Sequence, residues 1–210
     1  MNFNILNQLF GFVLGVCSKY NIDESHGLSH SMDVLNFAHD IYEAEKYIYP
    51  ALKEQENIIY ISSVLHDMCD KKYMNEEEGL EEINKFLGNI IKEEEKEIIL
   101  KIISTMSYSK VKKHGFPELG EYQMAYHCVR EADLLAAYDF DRCVIFDMYS
   151  RGNIFEKSFE KAEILFKERV FKHAEDNLLT TQYSLAVYPN LHLNAMNRIK
   201  TWKNILKVKT

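Results

Sequence analysis

The sequence has few of the residues that interrupt helices. Its 210 residues include three prolines and eight glycines, whereas turn-rich β architectures need both at many turns. Leu, Ile, Glu and Lys are abundant and favour helices, and no segment alternates apolar and polar residues for long enough to require a strand. The sequence therefore predicts an all-α fold, and its length is compatible with a single domain over residues 1–210.

Cysteines are also few, and an excess of positive charge is missing. Cys17, Cys69, Cys128 and Cys143 show no C-x-x-C spacing, which favours reduced thiols in a cytoplasmic protein over a disulfide framework. The net charge of −7 argues against a general nucleic-acid-binding protein. The apolar run "FNILNQLFGFVLGVC" lacks a preceding basic region and is too short to cross a bilayer. We therefore predict a first helix that packs into the core, and no membrane association.

Apolar residues at helical spacing predict a series of further helices. The second helix is expected to begin near Ser31, and the third to follow Pro50 and end at a His-Asp pair. Later helices are predicted over residues 76–91, 93–106, 123–137, 139–150, 156–175 and 190–207. Residues 107–122 contain Gly and Pro, and are predicted to form a loop.

A polar group ends the apolar third helix in the stretch "SSVLHDMCDKKY". On a helix, the adjacent His66 and Asp67 lie about 100° apart and can flank one point beside it. Asp70 follows three residues after Asp67 and faces the same space. Imidazole and carboxylate form a mixed ligand set for divalent ions. Spacing alone favours a metal site no more than a hydrogen-bonded core histidine.

Further ligand candidates lie before and after this pair. His26 and His30 are four residues apart in "HGLSHSMDVL", around the start of the second helix. Asp133 is an acidic residue among apolar ones in "VREADLLAAYD". Together with the His-Asp pair, these residues would provide enough ligands for one ion.

The motifs "HGLSHSMDV", "VLHDMCDKKY" and "VREADLLAAYD", in this order, resemble the HD-domain superfamily of metal-dependent phosphohydrolases. Their spelling is similar to that of the small HD proteins related to bacterial nucleotide pyrophosphatases. The resemblance covers residues 22–151, and residues 152–210 would complete the helical bundle around a central metal cleft. It implies one divalent ion, which could be Mn, Mg, Co, Ni, Fe or Zn. The ligands that it implies are His30, His66, Asp67 and Asp133.

The resemblance also implies roles for two neighbouring residues. Asp70 would assist the attacking water or the leaving group, although the family more often has Glu at this position; a solvent-facing helix carboxylate is the alternative. His26 would contact the substrate or the water. A divalent ion lowers the pKa of its bound water from about 15.7 toward roughly 7, and a nearby carboxylate can then act as a base.

A phosphorylated substrate needs cations, and several lie near the motifs. We favour Lys71 and Lys110 as phosphate contacts. Arg130, three residues before Asp133, is either a third contact or the ion-pair partner of a nearby Glu. The remaining nearby lysines, interpreted as ordinary surface charges, are Lys72, Lys112 and Lys113.

The leading hypothesis is a hydrolase that acts on a small phosphorylated metabolite, and nucleotides are the favoured class. Pyrophosphatase and nucleotidase activities are both open. The alternatives are a cyclic or signalling-nucleotide phosphodiesterase, a di-iron oxygenase, and a non-catalytic HD-like interaction module. His114 and His127 suggest a second metal, but the adjacent histidine pair of the two-metal enzymes is missing. We expect one metal, a small-molecule partner and no nucleic-acid polymer; a homodimer is left open.

Overall fold

The structure is a computed structural model that describes residues 1–88 and 90–207, and regular structure in these residues is helical throughout. The all-α prediction is confirmed. The α-helices, numbered in chain order, are α1 (Phe3–Tyr20), α2 (Leu28–Glu45), α3 (Glu56–Leu65), α4 (Glu76–Leu87), α5 (Glu93–Thr105), α6 (Tyr108–His114), α7 (Gln123–Ala136), α8 (Phe140–Arg151), α9 (Phe155–Glu168) and α10 (Gln182–Leu206). Short 3₁₀ helices cover Pro50–Glu54, Gly120–Tyr122 and Val170–Lys172.

Several helices begin at a polar residue whose side chain accepts hydrogen bonds from the first turn. Asn2 caps α1, Asn75 caps α4, Asp139 caps α8 and Thr181 caps α10. Such caps satisfy backbone N–H groups that have no partner inside the helix, and each contributes about 1 kcal/mol. These caps therefore define the first residue of each of the four helices.

Several helix boundaries differ from those predicted. Helix α2 begins at Leu28 instead of near Ser31, and α4 ends at Leu87 instead of at residue 91. Larger differences concern α6, α9 and α10. Residues 107–122 are not entirely loop, because α6 occupies Tyr108–His114 and ends at Gly115, which has a φ of 75°. The loop signals Gly and Pro thus stop a short helix instead of excluding one. The last helix begins at Gln182, eight residues earlier than expected, and contains Pro189. The predicted helix 156–175 ends at Glu168 and continues as a 3₁₀ turn.

The core forms around α2, α3 and α7, which pack against one another, while α5 packs on α3. The N-terminal run packs inward as predicted, with Leu9, Val13 and Val16 buried. Burial of one such aliphatic side chain stabilises the fold by about 1.5–3 kcal/mol. A second apolar cluster, centred on Phe140 and Phe166, joins α8, α9 and α10. Helix α10 also contacts α2 and α7, and so connects the two clusters.

No residue of helix α7 is exposed, and the helix carries a buried ion pair. Glu131 has no exposed surface and accepts hydrogen bonds from Arg130 Nη2 (2.9 Å) and from the backbone N–H and hydroxyl groups of Thr180 and Thr181 (2.6–3.0 Å). Arg130 also donates to the Leu178 carbonyl at 2.5 Å. This network, here called the Glu131 network, ties the segment before α10 to α7.

Helix α4 approaches the chain after the His-Asp pair very closely. A Cβ atom placed on Gly79 would lie 2.7 Å from the Cβ atom of Cys69 and 2.8 Å from the sulfur of Met74. Only glycine allows this approach. In the part of the chain that the structure describes, no helix has the length and apolar character needed to cross a membrane.

Candidate metal centre

Three separate parts of the fold bring imidazole and carboxylate groups to one point. His30 lies in the first turn of α2, His66 and Asp67 directly follow α3, and Asp133 lies in α7. The Nε2 atom of His30 is 3.2 Å from His66 Nε2, 3.5 Å from Asp67 Oδ2 and 3.4 Å from Asp133 Oδ1. The structure thus brings together all four residues that the HD resemblance implies as ligands.

Four of the five donor-atom distances in the cluster fit a first-row divalent ion, and the fifth is slightly longer. The Nε2 atom of His66 lies 3.3 Å from Asp67 Oδ2 and 3.7 Å from Asp133 Oδ1. Donor atoms that each lie about 2.0–2.2 Å from a common ion are themselves separated by roughly 3–3.6 Å. One donor atom each from His30, His66 and Asp133 falls within 4.8 Å of the others. This cluster could therefore hold a metal ion.

The ring of His66 is oriented for ligation. Its Nδ1 atom lies 2.8 Å from the Ser63 carbonyl oxygen, which can only accept a hydrogen bond. Nδ1 therefore carries the proton, and in the neutral ring the lone pair of Nε2 faces the cluster. His30 is also buried, but its Nδ1 atom has no hydrogen-bond partner among residues 1–88 and 90–207.

Without an ion, these groups share protons and charge. Burial alone would lower the pKa of His66, but the carboxylates of Asp67 and Asp133 raise it to about 9. Burial lowers the pKa of His30 and outweighs its hydrogen bond to Asp133. Burial would raise the pKa values of both carboxyl groups, yet the neighbouring histidines hold them well below the usual range. A divalent cation would displace the histidine proton and balance the two carboxylates.

His26 lies beside the cluster and not in it. Its Nδ1 atom is 2.8 Å from Ser25 Oγ and 3.0 Å from the Tyr73 hydroxyl, and its Nε2 atom accepts from Lys72 Nζ at 2.9 Å. Burial lowers the pKa of His26 to about 4, and the charge of Lys72 acts in the same direction. His26 is thus a neutral ring with both nitrogens engaged, next to the His30 ring.

Asp70 lines the same cleft, and its carboxylate is held by Lys72. One carboxylate oxygen accepts from the Lys72 backbone N–H at 2.9 Å, and the other lies 3.1 Å from Lys72 Nζ. Lys72 therefore joins Asp70 to His26. This corrects the interpretation of Lys72 as an ordinary surface charge. The sequence signal was present, because Lys72 is two residues after Asp70, the spacing of a local side-chain turn.

The cluster opens into a cleft with a volume of about 370 Å³. Tyr108 and Phe146 are among the aromatic side chains in its wall. Lys110 lines the cleft, where it pairs with Glu76 and donates to the Ser104 carbonyl oxygen at 2.7 Å. Its assignment as a phosphate contact stays a prediction. The cationic side chains that line the cleft are Lys71, Lys72, Lys110, Arg142, Arg151 and Arg169.

Arg130 does not agree with its predicted role as a phosphate contact. It is 2% exposed, belongs to the Glu131 network, lies over the Phe116 ring, and is not part of the cleft wall. The alternative prediction, pairing with a nearby Glu, describes it correctly. His127 hydrogen-bonds to Gln123 and to Arg130, next to the Glu131 network.

Sequence reasoning missed Arg142 and Arg169, which also line the cleft. Arg142 follows Asp133 by nine residues, which would place it on the opposite face of one continuous helix. The chain instead breaks between α7 and α8, and Asp139 starts the new helix. That cap was visible in the sequence, but the angle between the two helices was not.

No family model matches the chain, and no curated protein matches it. Among solved structures, the chain is similar to a Lactobacillus plantarum protein whose crystal structure was determined as a Northeast Structural Genomics target. The two share 18% identity with a TM-score of 0.69 over 99% of each chain. At this identity the likeness concerns the fold alone, and it extends over the whole length of both chains.

Proposed function

We propose that this chain is a metal-dependent phosphohydrolase that acts on a small phosphorylated metabolite, with a nucleotide as the favoured class. The observation that carries the proposal is the convergence of His30, His66, Asp67 and Asp133 at the base of a cleft lined by cations. A mixed imidazole and carboxylate site suits divalent ions, and a surrounding excess of lysine and arginine suits phosphate.

The residues present would divide the work as follows. The two histidines and two aspartates of the cluster would hold one divalent ion, which supplies Lewis-acid activation of water and of the phosphoryl group when bound. Asp70 accepts a proton from the attacking water as the water oxygen bonds to phosphorus. The bond from phosphorus to the leaving oxygen breaks, and Lys71 stabilises the negative charge that develops.

His26 would hold Lys72, and through it Asp70, in position. The Lys72 ammonium contacts both His26 Nε2 and the Asp70 carboxylate. Because His26 is neutral, it accepts this hydrogen bond without competing for the charge of Lys72. Asp70 is thereby held in a fixed position at the cleft, as a base needs to be.

Metal content and activity test the proposal together. Purified protein should be loaded separately with Mn, Mg, Co and Ni, analysed for bound metal per chain, and assayed against nucleoside mono-, di- and triphosphates with product identification. We expect one ion per chain and hydrolysis of at least one substrate class. Asp67→Ala should lose both, whereas Asp176→Asn, a control that removes a carboxylate paired with Lys112, should keep both.

The outcomes separate the alternatives. Protein that binds no ion and hydrolyses nothing would refute the proposal and favour a non-catalytic helical module. Two ions per chain with activity on cyclic nucleotides would replace it by a phosphodiesterase. Two iron ions with consumption of oxygen would replace it by an oxygenase.

A further inference from the structure

Three cations in the wall of the cleft have no carboxylate partner within residues 1–88 and 90–207. They are Lys71, Arg142 and Arg169, whereas Lys72 and Lys110 pair with Asp70 and Glu76. Unbalanced cations in a concave site raise the local potential and concentrate anions there. The two arginines were not expected from the sequence, and each is held in a way that leaves donors available.

Arg142 is fixed by a single contact to backbone. Its Nη1 atom donates to the Ser25 carbonyl oxygen at 2.8 Å, directly before His26. Its Nε–H is buried without an acceptor among the described residues. A guanidinium group has five N–H donors in a planar fork. A phosphate bound along the Nε–Nη2 edge would provide the missing acceptor and a second, parallel hydrogen bond.

Arg169 is held by a ring and not by an anion. Its guanidinium carbon lies 4.1 Å from the centre of the Tyr108 ring, and both residues line the cleft. Stacking on an aromatic face fixes the plane of the group while its N–H edge stays free to bind an oxyanion. The arginine follows α9 directly, so the end of that helix sets its position.

The two guanidinium groups act on the same region of the wall. Burial raises the pKa of the Cys143 thiol, and the charges of Arg142 and Arg169 both oppose this rise. Arg142 donates to the carbonyl oxygen of Ser25, the residue before His26, and the His26 ring lies beside the His30 ring. Arg142 is therefore near the metal cluster, and it shares the cleft wall with Arg169.

We infer that Arg142 and Arg169 bind the phosphate in this cleft beside Lys71, where the sequence offered Arg130 as a third contact. The inference rests on the proposed function for its substrate class, a phosphate ester or anhydride. In this inference, α8 and the end of α9 recognise the phosphate. The metal cluster lies on other elements, namely α2, the end of α3 and α7. Arg142 holds the phosphate beside the cluster, and Arg169 binds it from the Tyr108 side.

Binding of inorganic pyrophosphate to the metal-free protein tests this inference without hydrolysis. Isothermal titration calorimetry should show that Arg142→Gln and Arg169→Gln each weaken binding at least tenfold. Arg142→Lys should give an intermediate loss, because it keeps the charge but not the planar fork. Arg151→Gln is the matched control: this residue also lines the cleft but already pairs with Asp147, so the loss should stay below twofold. Thermal melting should confirm that all variants fold.

The inference would be overturned if wild-type protein failed to bind pyrophosphate at millimolar concentration, or if Arg151→Gln weakened binding as much as the other variants. Equal affinity of wild type and both glutamine variants would also overturn it. Its failure is distinguishable from that of the proposed function. The protein could bind pyrophosphate through the two arginines and yet bind no metal and hydrolyse no nucleotide. That result would support the phosphate site and refute the proposed function.

Discussion

Removing the carboxylate of Glu131 should be among the most destabilising single changes in this fold. Glu131 is fully buried and accepts five hydrogen bonds, one from a buried arginine and four from Thr180 and Thr181. Glu131→Ala would leave the Arg130 charge buried without its counter-charge, which typically costs about 3–5 kcal/mol. The total stability of a domain is about 5–15 kcal/mol, so this loss is a large part of it.

Urea denaturation followed by far-UV circular dichroism measures this difference. Glu81→Ala is a suitable control, since Glu81 is 62% exposed and pairs with Lys85 on the same helix. This variant should lose less than about 0.5 kcal/mol of stability. The double variant Arg130→Met/Glu131→Ala should be less destabilised than Glu131→Ala, because no unpaired charge remains. A loss of less than about 1 kcal/mol for Glu131→Ala would show that the Glu131 network does not hold the segment before α10.

Three further changes have defined outcomes. Asp70→Asn should leave metal content and melting temperature unchanged but reduce hydrolysis by about 10²–10⁴, whereas Asp67→Ala should also lose the metal; an Asp70→Asn protein with most of its activity would remove Asp70 from the mechanism. Gly79→Ala should destabilise the fold by about 1–3 kcal/mol in urea titrations, because its Cβ atom would overlap Cys69. Gly11→Ala, in open space on α1, should be neutral or slightly stabilising. If both alanine variants had the same stability change, the contact between residue 79 and Cys69 would relax without cost. Burial lowers the pKa of His173 to about 4, so the unfolded state, with a value near 6.5, binds more protons as the pH falls from 6.5 to 4. Stability should fall over this window by up to about 3 kcal/mol more in wild type than in His173→Leu, and parallel pH profiles would contradict this.

The sequence was sufficient for the parts of the fold that depend on local pattern. Apolar periodicity predicted the all-α class and most helices, and their beginnings follow caps that are visible in the sequence, such as Asn75 and Asp139. The beginning of the last helix was missed for a physical reason. Pro189 was expected to precede the last helix, but it lies inside α10, where packing against α2, α7 and α8 outweighs the missing hydrogen bond.

The candidate site also contains residues that local spacing predicts and residues that it does not. The spacing of His66, Asp67 and Asp70 restricts them to one end of α3, and the motif order of the HD resemblance added His30 and Asp133. The cations could not be assigned by proximity in sequence, because their positions depend on the angles between helices. Arg130 is three residues from Asp133 yet enters the interior, while Arg169 is distant in sequence and lines the cleft.

The cluster draws its donors from distant parts of the chain, and this links it to the folding reaction. His30 and Asp133 lie about half the chain apart in sequence. Bringing them together costs conformational entropy, so the unfolded chain rarely forms the cluster. Ion binding would therefore select chains in which α2, α3 and α7 have already assembled. A colorimetric chelator in competition with the protein would then act as a reporter of tertiary assembly during refolding, since helical content alone can recover before these three helices meet.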